Sequence, residues 1–348
     1  MVVGIIGGGF YGCHLACSIA DLGIEVELIE RSEEILLGAI SNNQHRLHLG
    51  YHYPRCKETI NQCIRSYHLF LEKYPHCASD IIDNYYLIEK SSKVSYKNYK
   101  EVFLNYDLFF DEIETEKVQD LIVDHTKIAG IIKTQEKKIN LSLLKSTLHN
   151  KVAKRKKIKV ITGTNVLNVT GDSIIQTDTF TKKYDFVINC TYLNPKMGLY
   201  DQEIETKNEN CMLVLIEMKN KRFENSSITI VDGDYVSMYP ADVDGHFTLS
   251  SVLYTPYDKN PTGIKEYNIK KIADEIINHC MEYINIHSSE FDIVGHYLAQ
   301  KTKILEDKNA YRKCFYSRSG NNISIMAGKI SAILDLEQDI LNEVISSV

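Results

Sequence analysis

The chain has 348 residues, 44% of them hydrophobic and 25% charged, with a formal net charge of −6. That balance fits a soluble globular protein of one large domain or two interleaved ones, and it lacks the basic field that draws a protein to nucleic acid. No apolar stretch approaches the roughly 20 residues that span a bilayer, and the 9 cysteines are scattered without C-x-x-C spacing, which points to reduced thiols in a cytoplasmic protein.

The first apolar run, residues 2–6, reads as a buried parallel strand rather than a leader. Gly7, Gly9 and Gly12 follow with G-x-G-x-x-G spacing. Gly7 permits a tight turn, Gly9 lets a pyrophosphate approach the backbone, and Gly12 lets a helix pack closely on the strand. The spacing predicts a helix over 10–22, stopped by Gly23, whose N-terminus offers N–H groups and a positive dipole end to a diphosphate. A second strand over 25–29 ends at Glu30, where a carboxylate would hold ribose hydroxyls and disfavour a 2′-phosphate. Phe10, Tyr11 and Arg31 flank these positions and join the candidate cofactor set. The motif leaves NAD and FAD open, because both carry an ADP ribose.

The stretch 38–55 packs hydrogen-bonding side chains densely without a helical or strand period, as a loop laid against a polar ligand does. Ser41, Asn42, Gln44, Arg46 and Leu47 are its candidate cofactor contacts, and His48 and His52 its candidate catalytic groups. The spacing of His45, His48 and His52 matches no zinc pattern, and no metal is expected. A helix is predicted over 57–73 and a strand over 81–89, while 90–135 carries no motif. Asn140 is the expected N-cap of a helix ending near residue 154, and the basic run 151–159 reads as its solvated end. Strands are predicted over 159–162 and 165–169, with a turn at Gly171-Asp172, a return strand over 173–180 and a buried strand over 184–191. From about residue 210 the pattern changes to alternating strands, over 212–217, 227–231, 236–239 and 247–253, which predicts an antiparallel sheet. A helix over 267–286, a strand over 293–298, and a strand, glycine turn and helix over 323–334 complete the chain.

This order of parts resembles the FAD-dependent D-amino-acid oxidase superfamily, which includes glycine oxidase, sarcosine oxidase, glycerol-3-phosphate dehydrogenase and L-2-hydroxyglutarate dehydrogenase. Four places carry the resemblance: the Gly7, Gly9, Gly12, Glu30 fingerprint; the run 41–54, which puts His48 on the flavin-facing histidine of L-2-hydroxyglutarate dehydrogenase; Val166, where the family lays a valine backbone against adenine, with the later strand ending in Cys190-Thr191 where relatives often carry Ala-Gly; and Gly328, Lys329 and Ile330, similar to a Gly-Gly-Lys turn facing the flavin ring. The last element favours FAD over NAD. The resemblance implies an α/β fold: a Rossmann-type FAD-binding domain assembled from 1–75, 137–205 and 306–348, with an antiparallel β-sheet substrate domain from 76–136 and 206–305. It also leaves open a covalent flavin link through a histidine or cysteine.

In that superfamily the substrate loses hydride from a carbon bearing an amine or a hydroxyl, and FAD performs the redox step. His48 or His52 could take the proton. An anionic substrate calls for a guanidinium, and the candidates are Arg46, Arg55, Arg312 and Arg318, with Arg318 the catalytic candidate because it precedes Ser319-Gly320 just before the last strand. Alternating Tyr235, Ser237 and Tyr239, with Tyr254, could line a pocket, Tyr239 being the catalytic candidate among them. The expected function is FAD-dependent removal of hydride from the C–N bond of a small amine or amino-acid-like substrate. The alternatives are oxidation of a hydroxy acid or sugar-like alcohol, and an FAD-binding role without net redox chemistry.

Overall fold

The computed structural model of the protein describes residues 1–199, 205–261, 265–304 and 312–347. The apolar runs form a six-stranded sheet in the order Phe315–Ser319, Asn322–Met326, Phe186–Asn189, Val2–Ile6 (β1), Glu25–Ile29 (β2) and Ile158–Ile161. All neighbours are parallel except the first pair. β1 and Phe186–Asn189 are almost wholly buried, as strands covered on both faces must be. One face is covered by Phe10–Asp21 (α1), Lys57–Lys73 (α2), Leu141–Ala153 and Ile333–Ile345. The other is covered by a small antiparallel sheet, Val166–Val169, Ile174–Thr177 and Thr181–Lys183, whose Val169 and Ile175 pack on Ile6, Ile29 and Val187. Asn140 caps its helix by accepting the Leu143 N–H at 3.0 Å.

The second large sheet has nine strands and its own core, with the helix Ile269–Met281 packed on it. It is antiparallel except for one pair, Ser226–Val231 beside Asp83–Glu89. Its longest ladder pairs Thr206–Met218 with Phe291–Ile304, well beyond the apolar stretches that the alternation marks. Polar pairs extend it: the buried Glu209 carboxylate gathers Lys207, Lys301 and Lys303 within 3.7 Å, 3.6 Å and 2.7 Å. A further small sheet of Arg46–Leu47, Lys137–Ile139 and Ala78–Ser79 fastens the histidine-rich stretch. No helix of the described residues is long and apolar enough to cross a membrane.

The seam between β1 and α1 tolerates no side chain at Gly12, where a Cβ would stand 1.9 Å from the Gly7 carbonyl oxygen. Gly12→Ala is therefore expected to destabilise the fold by about 1–3 kcal/mol through overpacking, read as a lowered midpoint in urea unfolding followed by circular dichroism.

Candidate active site

The carboxyl ends of the parallel strands meet at the glycine turn. Gly7 has φ +101° and donates its N–H to the Ile29 carbonyl at 2.8 Å. A Cβ there would stand 2.8 Å from the Cys190 carbonyl, whereas one at Gly9 would meet nothing within 4 Å. The turn is thus closed against its own backbone at Gly7 and Gly12 and open at Gly9, the shape a diphosphate needs. Glu30 accepts the N–H of Gly8 at 2.6 Å and of Ser32 at 2.9 Å. Its own carbonyl accepts the Thr164 N–H at 3.0 Å, which brings the segment leading to Val166 alongside. Thr191 bonds back to Asn189 Oδ1 through both its N–H (2.9 Å) and its hydroxyl (2.7 Å). At the far side, a Cβ on Gly328 would fall 2.1 Å from the Arg312 carbonyl. The Tyr11 hydroxyl, from the first turn of α1, donates to the Lys329 carbonyl and ties this last turn to the first.

The histidine-rich stretch lies between the two large sheets. His45 (φ +53°) and Gly50 (φ +123°) bend it, and Ile139 N–H donates to the His45 carbonyl at 2.7 Å. The rings of His48 and His52 are 5.7 Å apart, and the Tyr53 ring lies 5.6 Å from the first and 5.2 Å from the second. Lys329 Nζ sits 4.3 Å from the centre of the Tyr53 ring. His48, His52 and Lys329 are half-buried. Burial, followed by the nearby cations, pushes both histidines well below the ordinary imidazole range, so each is neutral at pH 7. Neither Nδ1 has a hydrogen-bond partner.

Arg46 is 7% exposed. Its Nη1 donates to Thr229 Oγ1 at 2.7 Å and its Nε to Gln44 Oε1 at 3.1 Å, while its guanidinium lies 4.0 Å over the Tyr239 ring. All these partners are neutral, and Nη2 has none. The Gln44 amide reaches Ser237 and Thr248 at 3.2 Å and 3.3 Å. Burial, and then Arg46, lowers Lys329 to about 7. A buried guanidinium beside a reluctant ammonium, with spare donors and no carboxylate in direct contact, is an arrangement that an anion would satisfy.

Arg312 lies close enough to lower the basicity of His52, whereas several other sequence candidates fall elsewhere. Arg318 pairs across from Ile323, at the start of a parallel strand and so at the end of the sheet opposite the glycine turn. It is engaged there by Glu343, the Gly320 carbonyl and Ser347. Arg55 is paired with Asp232 at 2.6 Å. Tyr235 and Tyr254 lie outside the strands Val236–Pro240 and His246–Ser251, so strand alternation does not aim them with Ser237. Tyr235 donates to Glu89 at 2.8 Å, and Tyr254 packs on His279. The Phe10 and Leu47 side chains belong to the core and leave only backbone for a ligand, while Arg31 is exposed. Gln44 turns toward the second sheet, away from the glycine turn. Sequence reasoning missed Thr229, Tyr53 and Glu136. The last is 2% exposed beneath the His48–His52 loop, and an isolated glutamate in a lysine-rich stretch gives no signal of that burial.

A family model described as FAD dependent oxidoreductase matches residues 3–331. The chain is 31% identical over 353 residues to the FAD-dependent monooxygenase FPY4 of Fusarium mangiferae, covering 98% of this chain and 90% of that protein. Its fold is similar to that of L-proline dehydrogenase from P. horikoshii, with a TM-score of 0.76, 15% identity, and coverage of 99% of this chain and 92% of that one. It is also similar to glycine oxidase from Bacillus cereus ATCC 14579, with a TM-score of 0.77, 11% identity, and coverage of 99% and 95%.

The lowered pKa of Lys329 gives a pH dependence with a defined sign. An anion beside Lys329 favours the ammonium, so above pH about 7 binding must take up a proton. Affinity for an inert carboxylate such as acetate is expected to be flat below that pH and to weaken roughly tenfold per unit above it. Titration of the flavin spectrum with acetate checks this, and Lys329→Met is expected to abolish the slope.

Proposed function

Because the chain belongs to the FAD dependent oxidoreductase family, we propose that this FAD enzyme removes hydride from the C–N bond of a small anionic amine or amino-acid-like substrate. The observation that carries this reading is the buried Arg46, held by neutral partners with Nη2 spare, beside Lys329 and two neutral histidines. In this reading, segments 1–75, 137–205 and 306–348 form the cofactor domain and 76–136 and 206–305 the substrate domain. The free cysteines, eight of them buried, suit a reducing compartment such as the cytoplasm.

The donor set fits FAD. Gly9 leaves open space for a diphosphate in a turn that Gly7 and Gly12 close tightly against their own backbone, and Glu30 offers a carboxylate to the ribose. Val166, the Cys190-Thr191 turn, the Leu47 backbone and Gly328 to Ile330 would border the remainder. When bound, FAD supplies the acceptor for an electron pair. The chain does the rest. Arg46 anchors the substrate carboxylate from above Tyr239, which holds the guanidinium plane. His48 or His52 takes the proton of the substrate ammonium, since only the neutral amine releases hydride readily. The substrate loses two electrons and becomes an imine, and its hydrolysis yields a carbonyl and ammonia. The same groups serve a hydroxy acid, with the hydroxyl proton taken instead.

A second reading comes from FPY4, whose name makes it a monooxygenase; such an enzyme needs an outside reductant before it meets oxygen. Anaerobic mixing of the FAD-loaded protein with a panel of amino acids, secondary amines and hydroxy acids separates these readings. Bleaching by an amine, with ammonia released on turnover, is the expected result. Bleaching only by hydroxy acids, or only by NADH or NADPH, overturns it in favour of an alcohol oxidase or a monooxygenase, and no bleaching at all favours a non-redox role.

Arg46→Met is expected to cost about 2–5 kcal/mol in kcat/KM, whereas Arg318→Met leaves the kinetic constants at parental values. His48→Asn and His52→Asn, compared in stopped-flow flavin reduction, are expected to identify the base by a loss of about 10²–10⁴ in one of them.

A further inference from the structure

Glu136 follows the strand Ile128–Thr134 and immediately precedes Lys137–Ile139, in the small sheet that also holds Arg46–Leu47. Its side chain passes under the loop carrying the two histidines. Oε1 accepts the Leu49 N–H at 2.6 Å and the Gly50 N–H at 3.2 Å, and Oε2 accepts the Tyr86 hydroxyl at 2.5 Å. All three partners donate, which suits a carboxylate. The two amides lie between His48 and His52, at the point where Gly50 takes φ +123°. Tyr86 is fully buried and sets its ring 6.3 Å from His52 and 6.0 Å from Tyr51.

The loop is fastened again one residue on. The Tyr99 hydroxyl donates to the Tyr51 carbonyl at 2.6 Å, and the Tyr51 hydroxyl to the Phe109 carbonyl at 2.5 Å. On the His48 side of that fastening, after Arg46–Leu47 has paired with Lys137–Ile139, Glu136 holds the Leu49 and Gly50 amides and reaches toward His52 through Tyr86. It touches neither imidazole.

We propose that Glu136 is a positioning residue: its carboxylate fixes the Leu49 and Gly50 amides and, through Tyr86, the face beside His52, so that both imidazoles meet the substrate in one orientation. This rests on the roles proposed above for His48 and His52. A loop free to move by about 1 Å can cost 10²-fold in rate without losing the substrate. Burial pushes the Glu136 carboxyl up, while the Tyr86 hydroxyl, the Leu49 and Gly50 amides and the nearby Arg46 favour its charged form.

The test is Glu136→Gln in the FAD-loaded protein, with Tyr86→Phe as the milder partner. Glu136→Gln keeps the shape and one acceptor oxygen but loses the charge. Expected are a fall in the rate of anaerobic flavin reduction of about 10- to 100-fold, a smaller fall in Tyr86→Phe, faster amide hydrogen exchange confined to residues 47–53, and acetate binding as tight as in the parent or tighter. A merely structural role would lower acetate affinity, thermal midpoint and reduction rate together, and that result overturns the inference. So does a parental reduction rate in Glu136→Gln when His48→Asn or His52→Asn is slow. If both histidine variants reduce flavin like the parent, the reading of the histidines fails and the inference falls with it.

Discussion

Burial of Arg46 without a contacting carboxylate sets the terms for the whole site. A desolvated charge costs several kcal/mol even after relaxation (on the order of the penalty for breaking a buried pair). Here the cost is offset only in part, by the Thr229 hydroxyl, the Gln44 amide and the face of Tyr239. Thr229 and Tyr239 belong to the second sheet, whereas Arg46 itself lies on a small sheet with Lys137–Ile139. The guanidinium therefore ties that small sheet to the second large sheet, while its Nη2 stays without a partner. Its charge also propagates, because Lys329 and both histidines are held toward their neutral forms partly by proximity to it. Cations gathered in this way relax only when a negative group arrives.

Much of the parallel sheet and its glycine turn was legible because its constraints are local. Gly12 is demanded by the Gly7 carbonyl five residues back and Gly7 by its positive φ, while Glu30 stands at a strand end, so the spacing carries much of the information. The polar stretch around His48 stood out for the opposite reason: it fits no periodic element. The substrate side was harder. Arg318 looked well placed by its neighbours in sequence, but a residue at the beginning of a hairpin into a parallel strand sits at the wrong end of the sheet, and that polarity appears only once the strand direction is known. Tyr235 and Tyr254 lie just outside a strand, where alternation no longer sets which way a side chain faces. Glu136 and Thr229 gave no signal, since what distinguishes them is burial against residues far away in the chain.

The polar extension of the long strand pair follows the same logic. Hydropathy marked the apolar centre of Thr206–Met218, but the outer turns of the ladder are held by Glu209 and its three lysines. A carboxylate with 2% side-chain exposure reads as a surface residue in any sequence scan, and only the surrounding ammonium groups make its burial tolerable.

The strand register has a consequence for how the protein is made. β1 sits inside its sheet, with Val3 paired to Phe186, and Val187 in turn paired to Asn322. A ribosome delivers β1 first and must synthesise more than half of the chain before its inner neighbour emerges. During that interval an apolar strand has β2 on one side and an open edge on the other, the state most exposed to wrong pairing and to chaperone capture. The turn at Gly328, tied to Tyr11 through the Lys329 carbonyl, comes later still. A stalled or truncated chain would therefore lack the turn that Tyr11 ties down, and the first turn of α1 would stay unfastened until the last segment arrives.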